Sequence, residues 1–203
     1  PGGLRVGAMA RHAEVARSAL VRERLPGLAE LAEGIGDPMV RSMGTLGGSL
    51  ANADPAACYP AAVLALGATV HTTARSIAAD AFFTGLYGTA LEPGELITSV
   101  SFPVPARAAY VKFKQPASRF ALVGVMVAQG SAGVRVAVTG ARDCVFREPA
   151  LEAALTREFS ASAARACRLS EAGLLSDLHG SAAYRAAMIP VMTARAVERA
   201  VSR

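Results

Sequence analysis

The chain has 203 residues, of which 52% are hydrophobic and 18% charged, and its 21 Lys and Arg against 16 Asp and Glu give a net charge of +5. That balance suits a folded chain with room for one large core or two small ones, and it excludes a disordered polyelectrolyte. The basic residues stand singly among acids, with no aromatic-plus-basic strand, so nucleic acid is not an expected partner. Nor is there an uncharged apolar run of about 18 residues for a membrane span.

Leu4-Arg5-Val6-Gly7-Ala8 alternates like a short strand. Between Arg11 and Glu33 apolar residues recur at helical spacing, as in Val15 with Ala19 and Leu28 with Leu31 and Ala32. Pro26 divides that stretch into two helices, the second closed by Gly34 and Gly36. Residues 41–53 read as irregular backbone. Asp54-Pro55 predicts a helix start, a carboxylate cap followed by proline in the first turn. This helix should run through Ala62 and Leu66 to Gly67, with a kink at Pro60.

A strand at Thr69–Thr73 comes next, then a short helix capped by Asp80 and holding Phe82 and Phe83. Glu92–Glu95 is a turn leading to a strand from Leu96 to Phe102. Pro103-Val104-Pro105 marks a domain boundary, giving lobes of 1–103 and 104–203. Beyond it, strands are expected at Tyr110–Lys114, Ala121–Ala128 and Val134–Thr139, the last two forming a hairpin through Ser131-Ala132-Gly133. Helices are expected over 149–157, 160–173 and 181–201, with Pro190 kinking or dividing the last.

Cys58, Cys144 and Cys167 are odd in number and far apart, which argues against a disulfide framework and for a reducing, cytoplasmic setting. His12, His71 and His179 show no metal-ligand spacing with them, and His12 is expected on a helix surface. Ser49 and Ser181 have no His or acid partner, so no catalytic residue is expected.

Thr45-Leu46-Gly47-Gly48-Ser49 carries the chemistry. Paired glycines let backbone approach a ligand closely, and the flanking hydroxyls add hydrogen bonds. The same five residues also suit a plain tight turn, and no G-K-[ST] succeeds them to make a Walker loop.

Around that stretch, Gly34-Ile-Gly-Asp-Pro-Met-Val-Arg41 and Ala51-Asn-Ala-Asp-Pro-Ala56 resemble an FAD-contacting segment of the molybdenum hydroxylase flavoproteins. This family includes the medium subunits of carbon monoxide dehydrogenase and the flavin domain of xanthine dehydrogenase. The resemblance continues through Phe82-Phe-Thr-Gly-Leu-Tyr87, Leu91-Glu-Pro-Gly-Glu-Leu-Ile97, Phe120-Ala-Leu-Val-Gly-Val125 and Asp177-Leu-His-Gly-Ser-Ala-Ala-Tyr-Arg185, covering nearly the whole chain in order.

It implies an α+β fold: an incomplete FAD-binding lobe of the molybdenum hydroxylase flavoprotein type, then a small C-terminal domain of antiparallel sheet plus helices. It is incomplete because the family's A-G-G-x-S pyrophosphate loop is not found before Leu4. The resemblance implies a backbone-rich FAD contact at Thr45, Leu46, Gly47, Gly48 and Ser49, with Ile97 and Lys114 near the isoalloxazine. A lysine there would favour an anionic reduced flavin. Burial in a strand and a solvated lysine are the competing readings of the last two. Cys58 stands where the family often has an acid.

The implied function is electron transfer through FAD, from 2Fe–2S clusters in a small partner subunit to an acceptor, with a molybdopterin-binding large subunit as the second partner. The alternatives are a truncated, flavin-free interaction module of the same family and a generic phosphate-ligand domain.

Overall fold

The computed structural model describes residues 3–202. After β1 (Leu4–Gly7) come three helices: α1 (His12–Arg17), α2 (Ala19–Arg24) and α3 (Pro26–Glu33). One more helix forms than the spacing predicts because Ser18 ends α1 in extended geometry and caps α2, its Oγ accepting from Val21 N at 3.4 Å. Pro26 opens α3, as expected, and Leu28, Leu31 and Ala32 form its buried face.

The stretch read as irregular is mostly helical. Asp37 Oδ1 accepts from Val40 N at 2.9 Å and starts α4 (Pro38–Met43). Thr45 then caps α5 (Leu46–Asn52), so side-chain caps override the poor helix propensity of Gly47 and Gly48. Asp54 does not begin a helix. Its carboxylate closes a local turn on Ala56 N at 2.8 Å. The proline that opens α6 (Tyr59–Ala65) is Pro60, which lies in the first turn and kinks nothing.

Next come β2 (Thr69–Thr72), β3 (Ser76–Ala78), α7 (Ala79–Phe82), β4 (Phe83–Gly85), β5 (Gly88–Thr89) and β6 (Ile97–Phe102). Asp80 lies inside α7 and caps nothing. It instead binds Arg135 at 2.6 Å and Arg147 at 3.3 Å, tying the helix to the second half of the chain. The first sheet has the antiparallel order β1-β6-β2-β3.

The second half contains β7 (Arg107–Lys114), β8 (Ala121–Gly130), β9 (Gly133–Thr139), β10 (Phe146–Arg147), α8 (Pro149–Arg157), α9 (Ala161–Ala166) and α10 (Ala182–Val201). Its sheet has the antiparallel order β10-β9-β8-β7, with β8 and β9 joined as the expected hairpin. Strand alternation divides β8 between two cores. Val123, Val125 and Val127 face α8–α10, while Met126 and Ala128 join the core built around α3 and α6. That first core also takes in Tyr110, Ala137 and Val145, so apolar packing is continuous from the first half of the chain to the second.

The helix expected over 160–173 stops at Ala166, where Cys167 turns extended. Pro190 does not divide α10, which runs unbroken through it. Burial of Ile189, Met192, Ala196 and Val197 against the sheet and α9 offsets the backbone bond the proline removes.

Candidate functional site

A cleft of about 430 Å³ opens between α1, the α4–α5 segment, the 52–58 turn and the far end of β7. Thr45, Gly48 and Ser49 form part of one wall, and Ile35, Val40 and Phe120 make it largely apolar. The two glycines of α5 have separate tasks. A Cβ on Gly47 would lie 2.6 Å from Ala8 Cβ, so its bareness lets α5 pack on the end of β1. On Gly48 a Cβ would meet only Thr45 Oγ1, at 2.9 Å, and that residue is exposed to the cleft.

The amides of this segment do not face the cleft. Leu46 N donates to Ala10 O at 3.0 Å, Gly47 N to Ala8 O at 2.8 Å, Gly48 N to Thr45 Oγ1 at 3.1 Å and Ser49 N to Thr45 O at 3.1 Å. These amides are therefore already engaged within the chain. What the segment offers a ligand is a surface bare of Cβ at Gly48 and the hydroxyls of Thr45 and Ser49.

His12, expected at a helix surface, is buried against this cleft with its ring 5.3 Å from that of Tyr59. Its backbone N donates to Gly44 O at 2.9 Å, and a Cβ on Gly44 would run into the imidazole. Burial, then the nearby Arg41 guanidinium, lower its pKa, so it stands neutral at pH 7.

Opposite, Lys112 Nζ donates to Arg119 O at 2.8 Å and to Cys58 Sγ at 3.4 Å. Arg119 sits at φ +63° on a tight turn that Gln115 Oε1 organises by accepting from Ala117 N and Ser118 N at 2.7 and 3.0 Å. Its guanidinium reaches across the cleft to Gly36 O at 3.2 Å.

A second cleft of about 280 Å³ shares Asp54, Ala56, Ser118 and Phe120 with the first, so the two form one groove. Its floor is held by Arg185, which is only 2% exposed. Arg185 Nη1 donates to Leu122 O at 2.7 Å and to Gly140 O, and Nη2 binds both oxygens of Asp177 at 2.9 and 2.8 Å. Gly140 N in turn donates to Pro55 O at 2.8 Å, linking this anchor to the wall common to both clefts. Partial burial opposes ionisation of Asp177, but the His179 amide, Arg185 and the Gly180 amide hold its carboxyl below the usual range.

Of the residues singled out in the sequence, the structure brings Thr45, Gly48 and Ser49 together at the groove. Leu46 and Gly47 are buried behind it. Ile97 is half-buried in β6 opposite Thr72, packed on the first core and away from both clefts. Lys114 is exposed at the end of β7 and lines neither cleft. Lys112 and Arg119 were missed. Alternation along β7 puts Lys112 on the face of buried Tyr110, a signal available in the sequence. The reach of Arg119 depends on a positive φ that no motif announces.

A family model described as the FAD binding domain in molybdopterin dehydrogenase matches residues 1–105. The nicotine 6-hydroxylase medium subunit of Paenarthrobacter nicotinovorans is 36% identical across 98% of this chain and 76% of its own length. The chain belongs to the FAD-binding medium subunits of the molybdenum hydroxylases. The carbon monoxide dehydrogenase medium chain of Afipia carboxidovorans is 35% identical across 98% of this chain and 74% of its own. Among solved structures, reconstituted CO dehydrogenase from Oligotropha carboxidovorans superposes with a TM-score of 0.89 at 32% identity, covering all of this chain and 77% of that one. Quinoline 2-oxidoreductase from Pseudomonas putida 86 gives 0.85 at 30%, covering 100% and 76%. The chain thus spans about three quarters of these relatives and is an FAD-binding subunit of an oxidoreductase.

The groove fits such a cofactor. It is long, mostly apolar and edged by a few hydroxyls and cations, the composition expected of a cofactor site. No helix among the described residues is long and apolar enough to cross a membrane.

Proposed function

We propose that this chain is the electron-transfer subunit of a molybdenum hydroxylase, holding FAD in the groove where the lobes 1–103 and 104–203 meet. Its partners would be a large molybdopterin-binding subunit and a small subunit with 2Fe–2S clusters. The observation that carries this reading is the continuous groove. Its walls come from both lobes, and Thr45, Gly48 and Ser49 line one side in a chain of the FAD-binding family.

Bound FAD would supply redox chemistry that side chains lack, taking electrons singly or in pairs. The chain's own residues bind and orient. Thr45 Oγ1 already accepts from Gly48 N, which leaves its proton to donate, and Ser49 offers a second hydroxyl. Gly48 keeps that wall flat. Ile35, Val40 and Phe120 exclude water, and neutral His12 adds no positive charge to the floor. No side chain is asked to act as an acid or base.

The test is the flavin content of the full chain. A flavin absorption band in the purified protein, with FAD fluorescence released on denaturation, is the expected result. A colourless chain that titrates no FAD would leave the flavin-free interaction module as the better reading.

A further inference from the structure

Lys112, Gly124 and Thr139 pair in one row across β7, β8 and β9. Their side-chain positions therefore share a face of the second sheet with Tyr110, two residues before Lys112. Helix α6 packs on that face, and Cys58, at its start, is buried while still lining the first cleft. Lys112 Nζ donates to Cys58 Sγ at 3.4 Å.

Gly124 has no side chain, and two hydroxyls use the room. A Cβ there would run into the Tyr110 hydroxyl and lie 2.7 Å from Thr139 Oγ1. Tyr110 and Thr139 are 6% and 0% exposed, and neither hydroxyl has a hydrogen-bond partner among the described residues. Burial first, then the neighbouring Cys58, push the Tyr110 phenol well up, so it keeps its proton. A buried donor without an acceptor is unfavourable, and the group beside this one is a thiol, a weak acceptor. An oxygen added to that sulfur would supply the acceptor.

We propose that Cys58 is a site of oxidation by peroxide, its sulfenic product held between Lys112 and Tyr110. The sulfur attacks one peroxide oxygen, and a sulfur–oxygen bond forms as the oxygen–oxygen bond breaks. Sulfur gives up two electrons, and the departing hydroxide takes the thiol's proton and leaves as water. Lys112 pairs with the attacking thiolate, and Tyr110 donates to the new oxygen. The step needs only an open cleft, whatever ligand the groove takes. Because Cys58 lines the groove proposed for FAD, its oxidation changes the wall of that groove.

The other two thiols are the internal comparison. Cys144 and Cys167 are more exposed than Cys58, so exposure alone would have them react first. Burial pushes the Cys144 thiol up, and Cys167 Sγ donates to Ala163 O at 3.5 Å.

The experiment is a pulse of limiting hydrogen peroxide on the full chain, stopped with catalase. Denaturation, alkylation with iodoacetamide and peptide mass spectrometry then give the thiol remaining at each cysteine. The expected result is loss of Cys58 about tenfold faster than Cys144 or Cys167. Lys112→Met and Tyr110→Phe, each checked for folding by its thermal midpoint, should slow that loss by about tenfold and about threefold. Neither should change the rates at Cys144 and Cys167. Oxidation of Cys144 or Cys167 as fast as Cys58 in wild type would overturn the proposal without any variant. A Cys58 rate unchanged in both folded variants would overturn it as well.

Discussion

Gly47→Ala and Gly48→Ala alter neighbouring residues of one short helix, and the structure assigns them opposite consequences. A methyl at Gly47 would stand 2.6 Å from Ala8 Cβ and 3.0 Å from Ala8 O, where carbons normally approach to about 3.5–4.0 Å. To admit it, α5 must back away from the end of β1 by about 1 Å, stretching the Gly47 N to Ala8 O bond that now measures 2.8 Å. Overpacking of this kind costs about 1–3 kcal/mol, and the better helix propensity of alanine recovers at most about 1. With the strained hydrogen bond included, a net loss of about 1–3 kcal/mol lowers the thermal midpoint by roughly 2–12 °C in a chain of this size.

At Gly48 the added methyl meets only the Thr45 hydroxyl, at 2.9 Å. Loss of that cap, about 1 kcal/mol, is matched by a propensity gain of about the same size, so stability should barely move. The methyl does, however, raise the cleft wall, and FAD affinity should fall. Thermal unfolding without flavin, then FAD titration, separates the two variants. An unchanged midpoint in Gly47→Ala, or a larger stability loss in Gly48→Ala than in Gly47→Ala, would refute the division of labour between the glycines.

Arg185→Met should destabilise the chain by about 1–3 kcal/mol in urea unfolding, because it leaves the Leu122 and Gly140 carbonyls without their donor around a residue only 2% exposed. A loss below about 1 kcal/mol would mean that water replaces the guanidinium freely. Arg75, with Thr72 and the Glu92 amide, holds the Glu95 carboxyl at about 2, below its ordinary 4.5. A carboxylate held down in the fold contributes stability that is fully present above pH 4.5 and is lost as pH falls toward about 2. Arg75→Met should therefore lower stability at neutral pH and flatten the acid limb between those values. An acid limb identical to wild type in that window would contradict the assignment.

Most of the fold could be read from the sequence where period and punctuation agree. The strands of the second half, their hairpin through Ser131-Ala132-Gly133 and the start of α3 at Pro26 come from alternation and from proline and glycine chemistry. The misses share a cause. At Thr45 and Asp37 a side-chain cap turned glycine- and proline-rich sequence into helix, and at Asp54 the same kind of cap closed a turn instead. A cap residue announces a local hydrogen bond but not whether a helix or a single turn grows from it.

Around α10 the balance ran the other way, since tertiary packing carried the helix through Pro190. At the site, the T-x-G-G-S stretch did point to the groove. Only the packing of α5 on β1 could reveal that Gly47 serves the core while Gly48 serves the cleft. Lys114 drew attention through the family resemblance, whereas Lys112, two residues earlier, is the lysine that lines the cleft.

The most direct measurement is a crystal structure of the full chain grown with FAD. The account predicts density running from Ile35, along Gly48 and Ser49, past Asp54 and Phe120 toward Asp177. Flavin density lying outside that groove, or a groove filled by the chain's own side chains at saturating FAD, would contradict it.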